Sequence, residues 1–244
     1  MIDIPRVGSE YATAARGVVI VIDVIRAFSV AAYAFAGGAR ELWLVRTVQE
    51  AFALRERAPE SLLAGEVGGR LIAGFDFDNS PARMAAANVR GRLIIQRTGA
   101  GTQGAVGAGA ATHLLLAALV NARATAAYAR ALAMRDRLPI TLLPTEAPIE
   151  KEGVPAFEDE VCADYLEALL RERDDAAAVL ADGIARLRAG GRLSIFTRGY
   201  PDFPPEDVPA VLATDRFDFA MRGLREQWRD MTYVRAEQVA AKNP

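Results

Sequence analysis

The feature that most constrains this chain is a rhythm in which short apolar runs alternate with longer helical patterns. Residues 18–22 form a continuous β-branched run, Val-Val-Ile-Val-Ile, which suits a strand buried on both faces. Residues 26–36 read as a helix stopped by Gly37-Gly38. A second strand is expected over 42–45, and Thr47 with Glu50 forms a capping-box pattern for the next helix. Residues 61–64 give a third strand that leads into a long loop over 65–79, and Ser80-Pro81 signals a new helix. A fourth strand over 93–96 runs into a glycine-rich turn at 99–104. Residues 113–119 suit another buried strand, although an apolar helix fits the same pattern, and a helix over 122–135 and a strand over 140–143 follow. This order predicts a parallel or mostly parallel sheet covered on both faces. Helices are expected over 158–171 and 175–188. From about residue 190 the pattern loosens, and 199–209 is rich in proline and acid. The expectation is one α/β domain over 1–244 with a less regular C-terminal elaboration.

Composition narrows the chemistry. The single cysteine, Cys162, and single histidine, His113, leave no disulfide within the chain and argue against a Cys/His zinc site or a Ser-His-Asp triad. A metal would be held mostly by oxygen, and acid–base work would fall to carboxylates, hydroxyls or arginine-bound water. Both Cys162, among apolar neighbours, and His113, at a strand start, read as structural. The 29 basic residues nearly cancel the 31 acidic ones, which argues against a nucleic-acid partner or an anionic membrane surface. Only Lys151 and Lys242 are lysines, so the positive charge is nearly all arginine, the better bidentate binder of phosphate and carboxylate. The apolar runs are too short to span a bilayer, and the N-terminal residues lack the pattern of a secretory signal. A cytoplasmic location is expected.

Ligands of open α/β sheets sit beyond the carboxyl ends of the strands. The residues following the strands here are Asp23-Val24-Ile25-Arg26, Gly65-Glu66, Arg97-Thr98 and Pro144-Thr145-Glu146, so acid and arginine recur at that edge. Asp23 suits a hard cation and Arg26 a phosphate clamp; a buried ion pair or a helix cap are the plainer alternatives. Glu66 suits a metal ligand or a solvated acid. In Gly74-Phe75-Asp76-Phe77-Asp78-Asn79-Ser80-Pro81, two acids, an amide and a hydroxyl meet at a helix start, where they suit an anion or a metal, or merely an Asx turn and an N-cap. Arg97, Thr98, Gly101 and Thr102 could cradle a phosphate. Gly99 to Gly104 also fits G-x-G-x-x-G, but Val120-Asn121-Ala122 stands where a dinucleotide site places its acid, about 20 residues on. Glu158-Asp159-Glu160 suits either dipole compensation at a helix start or completion of a metal site.

Taken in order, these segments resemble the 2-phosphosulfolactate phosphatase (ComB) family. The matching parts are Asp23-Val24-Ile25-Arg26-Ala27-Phe28-Ser29, Gly65-Glu66, Gly74 to Pro81, the turn from Thr98 to Thr102, Glu158-Asp159 and Asp215-Arg216-Phe217-Asp218. The resemblance implies a three-layer α/β/α fold with a mostly parallel or mixed sheet, and magnesium-dependent hydrolysis of a small phosphorylated acid from coenzyme M biosynthesis. It also implies a Cys-Ala-Gly after residue 143 and an asparagine at position 100, where this chain has Pro144-Thr145-Glu146 and Ala100.

The resulting expectation gives catalytic roles to Asp23, Arg26, Asp78 and Arg97. Substrate contacts fall to Ser29, Asn79, Ser80, Thr98, Gly101 and Thr102, and Mg²⁺ ligation to Asp23, Glu66, Asp76, Glu158 and Asp159. Asp78, Glu66 or Glu158 would serve as base. A homodimer stays open. The competing readings are a non-catalytic binding protein for a phosphorylated or sulfonated metabolite and, more distantly, a nucleotide-dependent oxidoreductase.

Overall fold

The structure is a computed structural model that describes residues 2–145 and 157–241. A short 3-10 helix, Ser9–Ala14, precedes β1 (Gly17–Ile22), α1 (Ala27–Ala36), β2 (Glu41–Val45) and α2 (Val48–Arg57). Next come β3 (Leu62–Val67), β4 (Arg70–Leu71), α3 (Pro81–Ala86), β5 (Leu93–Arg97) and α4 (Gly101–Gly107). β6 (Ala111–Ala117), α5 (Ala122–Asp136) and β7 (Ile140–Pro144) follow, then α6 (Glu158–Leu170) and α7 (Ala176–Ala189). The chain ends with a 3-10 helix, Arg192–Thr197, then α8 (Asp207–Val211), β8 (Phe219–Trp228) and β9 (Met231–Ala240). The Thr47–Glu50 capping box and the Ser80 cap ahead of Pro81 form as the sequence predicts.

The sheet has nine strands in the order β4-β3-β5-β2-β9-β8-β6-β1-β7. β3, β5 and β2 are mutually parallel, as are β6, β1 and β7. Between these halves lies the β8–β9 hairpin, antiparallel to its neighbours on both sides. The C-terminal region is therefore a correction to the sequence expectation: it supplies the two central strands of a mixed sheet. Three consecutive antiparallel pairings also leave the two parallel halves running in opposite senses.

Side-chain alternation builds the three layers. On one face, Val19 and Val21 of β1, Leu42 and Leu44 of β2, and Ile94 of β5 join α1, Met84 of α3 and Ala105 of α4 in one apolar cluster. On the other face, Val18, Ile20 and Ile22 pack with α5 and α6, while Trp43, Val45 and Ile95 pack with α2. Every residue of α1 from Ala27 to Phe35 is buried, as expected of a helix that is apolar all round. Both half-sheets press on this helix, and the Gln96 side chain of β5 donates to the Ala27 carbonyl at 2.9 Å. The ends of β1, β3 and β5 therefore meet near the start of α1, although their halves are antiparallel.

Cys162 is fully buried in the second cluster, and His113 pairs with Asp136 at 2.7 Å. Asp215 accepts the Arg123 backbone N–H at 2.9 Å and the Tyr165 hydroxyl at 2.6 Å, so this matched segment ties α5 to α6. No helix among the described residues is long and apolar enough to cross a membrane. Glu146 lies outside the described residues.

Candidate active site

A cavity of about 170 Å³ opens where these strand ends meet. Its walls come from Asp23, Ile25 and Arg26 after β1, Glu66, Gly68 and Gly69 at the β3–β4 hairpin, and Asn79 before α3. Thr98, Gly99 and Ala100 after β5 close another side, and Arg192, Ile195 and Phe203 come from the segment after α7. The Ile25–Arg26 peptide in the first wall is cis.

Asp23 is the more buried of the two acids on the cavity wall. One oxygen, Oδ1, accepts the Ala27 N–H at 2.9 Å, so the residue does cap α1. The other oxygen lies against α4: a Cβ on Gly101 would sit 2.6 Å from Asp23 Oδ2 and 2.7 Å from the Ala27 Cβ. Only glycine lets the helix start approach so closely. Burial, with the charges of Glu66 and Glu158, pushes the Asp23 carboxyl up to about 7, against the pull of N–H donors at Ala27 and Gly101. Asp159 stands behind it, taking the Val24 N–H at 2.7 Å and the Thr145 hydroxyl at 3.2 Å. Burial and the nearby charges of Asp23 and Glu158 hold its carboxyl well above the usual range. Glu66 accepts the N–H groups of Gly69, at 2.7 Å, and Gly99.

The other glycines of the 99–104 turn also have packing reasons. A Cβ on Gly104 would lie 2.7 Å from Thr145 Cγ2 and 3.0 Å from Val21 Cγ1. Close approach of α4 to β1 and β7 therefore accounts for this part of the dinucleotide-like pattern.

Several expected site residues are placed elsewhere. Asp76 accepts the Leu63 N–H at 2.8 Å and pairs with Arg55 at 3.5 Å, near the start of β3 and off the cavity wall. Asp78 is held by Arg83 and by the Ser80 N–H, so its charge is already matched. Ser80 caps α3, and its hydroxyl donates to Asp207 at 2.6 Å. Ser29 is fully buried and donates to the Val24 carbonyl at 2.8 Å, which secures the turn without reaching the cavity. Arg97 spends its guanidinium on the Glu66 carbonyl at 2.7 Å and the Arg46 carbonyl at 3.2 Å. Thr102 is fully buried and interlocks with Thr98: each hydroxyl accepts the other's backbone N–H, at 2.9 and 3.1 Å. Of that pair only Thr98 lines the cavity. Asn79 lines it too, and among the described residues its buried Oδ1 has no hydrogen-bond partner.

The segment after α7 supplies what the sequence reading missed. Arg26 is 2% exposed; its Nη1 donates to Asp207 Oδ2 and to the Asp202 carbonyl, both at 2.7 Å. Its guanidinium lies 4.5 Å from the Phe203 ring centroid. Arg192 binds Glu158 through three contacts of 2.6 to 3.0 Å. The only signal for these partners was the placement of Arg192, Phe196, Phe203 and Asp207 in an otherwise irregular stretch.

The five-residue metal set does not assemble as expected: among the described residues no three Asp, Glu, His or Cys side chains stand ready to hold an ion. Asp76 is remote, and Glu158 is taken by Arg192. Asp23 and Glu66 are the two acids on the cavity wall. Mg²⁺ is commonly bound by one or two carboxylates, with water and substrate phosphate completing the shell. Two oxygen donors, one of them a buried carboxyl in no ion pair among the described residues, fit such a hard ion chemically.

The sequence pattern of the family described as 2-phosphosulpholactate phosphatase matches residues 4–188. The chain belongs to this family. A Bacillus subtilis (strain 168) protein named probable 2-phosphosulfolactate phosphatase is 37% identical over 217 residues, covering 88% of this chain and 90% of its own. A Deinococcus radiodurans protein of the same name is 41% identical over 175 residues, 71% of each chain. One from Thermus thermophilus is 41% identical over 120 residues, 49% of this chain and 50% of its own. The family match takes in the Asp23, Glu66, Asn79 and Thr98 walls; Arg192, Ile195 and Phe203 lie beyond it.

Proposed function

We propose that this chain is a magnesium-dependent phosphatase acting on a small phosphorylated acid, 2-phosphosulfolactate or a close analogue. The observation that carries the reading is the cavity itself: Asp23, an acid in no ion pair among the described residues, faces the Thr98–Ala100 turn and shares its walls with Glu66 and two arginines. Membership of the family and the names of its relatives give the substrate class.

Asp23 and Glu66 would hold magnesium, directly or through water, and the ion would neutralise charge on the phosphoryl oxygens. The chain's own groups do the rest. Thr98, locked by Thr102, offers its hydroxyl from a fixed position, and Arg26 presents a guanidinium that is already oriented from behind by Asp207. Phosphoryl transfer needs mainly positioning and charge stabilisation, and these pre-set groups supply both. Of the expected bases, Asp78 and Glu158 are each tied to an arginine, which leaves Glu66 to take the proton of the attacking water. Asn79 Oδ1, an acceptor without a partner, suits orienting that water. A cytoplasmic location and a homodimer accompany this reading.

The test is release of inorganic phosphate from a panel of phosphorylated three-carbon acids, with magnesium and with chelator. Release that depends on magnesium is expected. An inert protein across the panel, but one that is stabilised by the same compounds, would replace this reading with the binding-protein one.

A further inference from the structure

Arg26 and Arg192 reach the cavity from opposite ends of the sequence, and each is gripped by a carboxylate that does not line it. Arg192 gives its Nε and Nη2 to Glu158, at 3.0, 2.9 and 2.6 Å. Arg26 gives only Nη1, to Asp207 and the Asp202 carbonyl, while Phe203 and Phe196 flank its guanidinium at 4.5 and 5.7 Å. The Nη1 of Arg192 and the Nε and Nη2 of Arg26 make no hydrogen bond among the described residues. Both side chains line the cavity and are no more than 8% exposed, so the cavity is the opening these donors face.

We infer that Arg192, set across the cavity from the phosphate-binding Arg26, is a specificity determinant that selects substrates bearing a second anionic group, a carboxylate or sulfonate, beside the phosphate. The inference rests on the phosphatase reading and deepens it. Guanidinium forks recognise such anions with paired N–H donors, and fixing them from behind removes much of the ordering cost. A neutral group in the same place would leave these donors without an anion in a confined site, which a site penalises more than it rewards added contact. The cavity, about 170 Å³, suits a compact substrate whose two anionic groups lie a few bonds apart. Arg97, turned toward backbone carbonyls, does not share this role.

The experiment compares kcat and KM on two magnesium-supported reactions: a phosphorylated three-carbon acid and its isosteric ester in which the acid is a primary amide. Wild type is expected to favour the acid by about 100-fold or more in kcat/KM. Arg192→Gln should cut that preference about tenfold or more, chiefly by raising KM for the acid, and Arg192→Lys should fall between. Because the single change strands Glu158, the Arg192→Gln/Glu158→Gln pair serves as a second variant: it should fold and still lack the preference. Carboxylate and sulfonate esters run side by side show which anion the fork prefers. Folded variants that keep the wild-type preference would overturn the inference, as would a wild type that turns over acid and amide equally well. A wild type inert on every ester would overturn the phosphatase reading and the inference with it.

Discussion

Asp23 and Asp207 are both buried carboxylates near the same cavity, yet their surroundings differ. Asp207 meets Arg26 at 2.7 Å and also accepts the Ser80 hydroxyl and the Ala82 N–H, at 2.6 and 3.1 Å. Asp23 has two backbone donors and no ion pair among the described residues; Arg192 reaches it only through its field, and Glu66 and Glu158 add to the negative charge around it. The Asp207 arrangement holds three segments together: α1, α3 and the stretch after α7. The Asp23 arrangement stores charge that something positive can relieve. Burial alone therefore does not mark an acid open to a cation; burial without an ion pair does.

Breaking the satisfied pair should have the larger structural effect. Asp207→Ala leaves Arg26 buried without its anion, and the expected cost is about 3–5 kcal/mol of unfolding free energy, read by urea denaturation. A loss under about 1 kcal/mol would mean that Arg26 is stabilised by Phe203 and the Asp202 carbonyl alone.

The unsatisfied acid should show itself through pH. The folded Asp23 carboxyl is raised from 3.8 to about 7. The folded state therefore holds a proton that the unfolded chain has already released, so its contribution is full below about pH 4 and fades as pH rises through about 7. In the absence of divalent cation, the thermal midpoint of Asp23→Asn minus that of wild type should climb over this window and level off above it. A flat difference would show that Asp23 has a hidden counter-charge.

The smallest effect belongs to Asp76, which the sequence places among the metal ligands and the structure does not. Asp76→Asn should change stability by no more than about 1 kcal/mol, through the Leu63 N–H contact and the half-exposed Arg55 pair, and should leave the magnesium dependence of turnover where it was. A shift in that dependence would return Asp76 to the site.

Local chemistry made much of the fold legible. The β-branched run at 18–22, the Thr47–Glu50 box and the Ser80-Pro81 start each depend on neighbouring residues, and each forms as read. The β8–β9 hairpin was illegible for equally physical reasons. Its turn is Arg229-Asp230, with Arg229 at φ 54°, and lacks the glycine or asparagine that usually marks such a turn. Its charged residues also conceal the strands, because Arg222 pairs with Glu237 and Arg235 with Glu226 across the ladder. At the site, Asp23, Glu66, Asn79 and Thr98 were readable as polar residues following strands or opening a helix. Their sorting from Asp76, Asp78 and Ser80 was not, since it depends on which side chains the fold has already paired: Asp76 with Arg55, Asp78 with Arg83, and Ser80 with the distant Asp207.

The central claim is that Asp23 is the working acid of a phosphatase. The most direct measurement is phosphate release from 2-phosphosulfolactate by wild type and by Asp23→Asn, at equal concentrations of folded protein and saturating magnesium. The account predicts steady release by wild type and a loss of about a thousandfold or more in the variant, with its fold retained by circular dichroism. Turnover by Asp23→Asn within tenfold of wild type would contradict it.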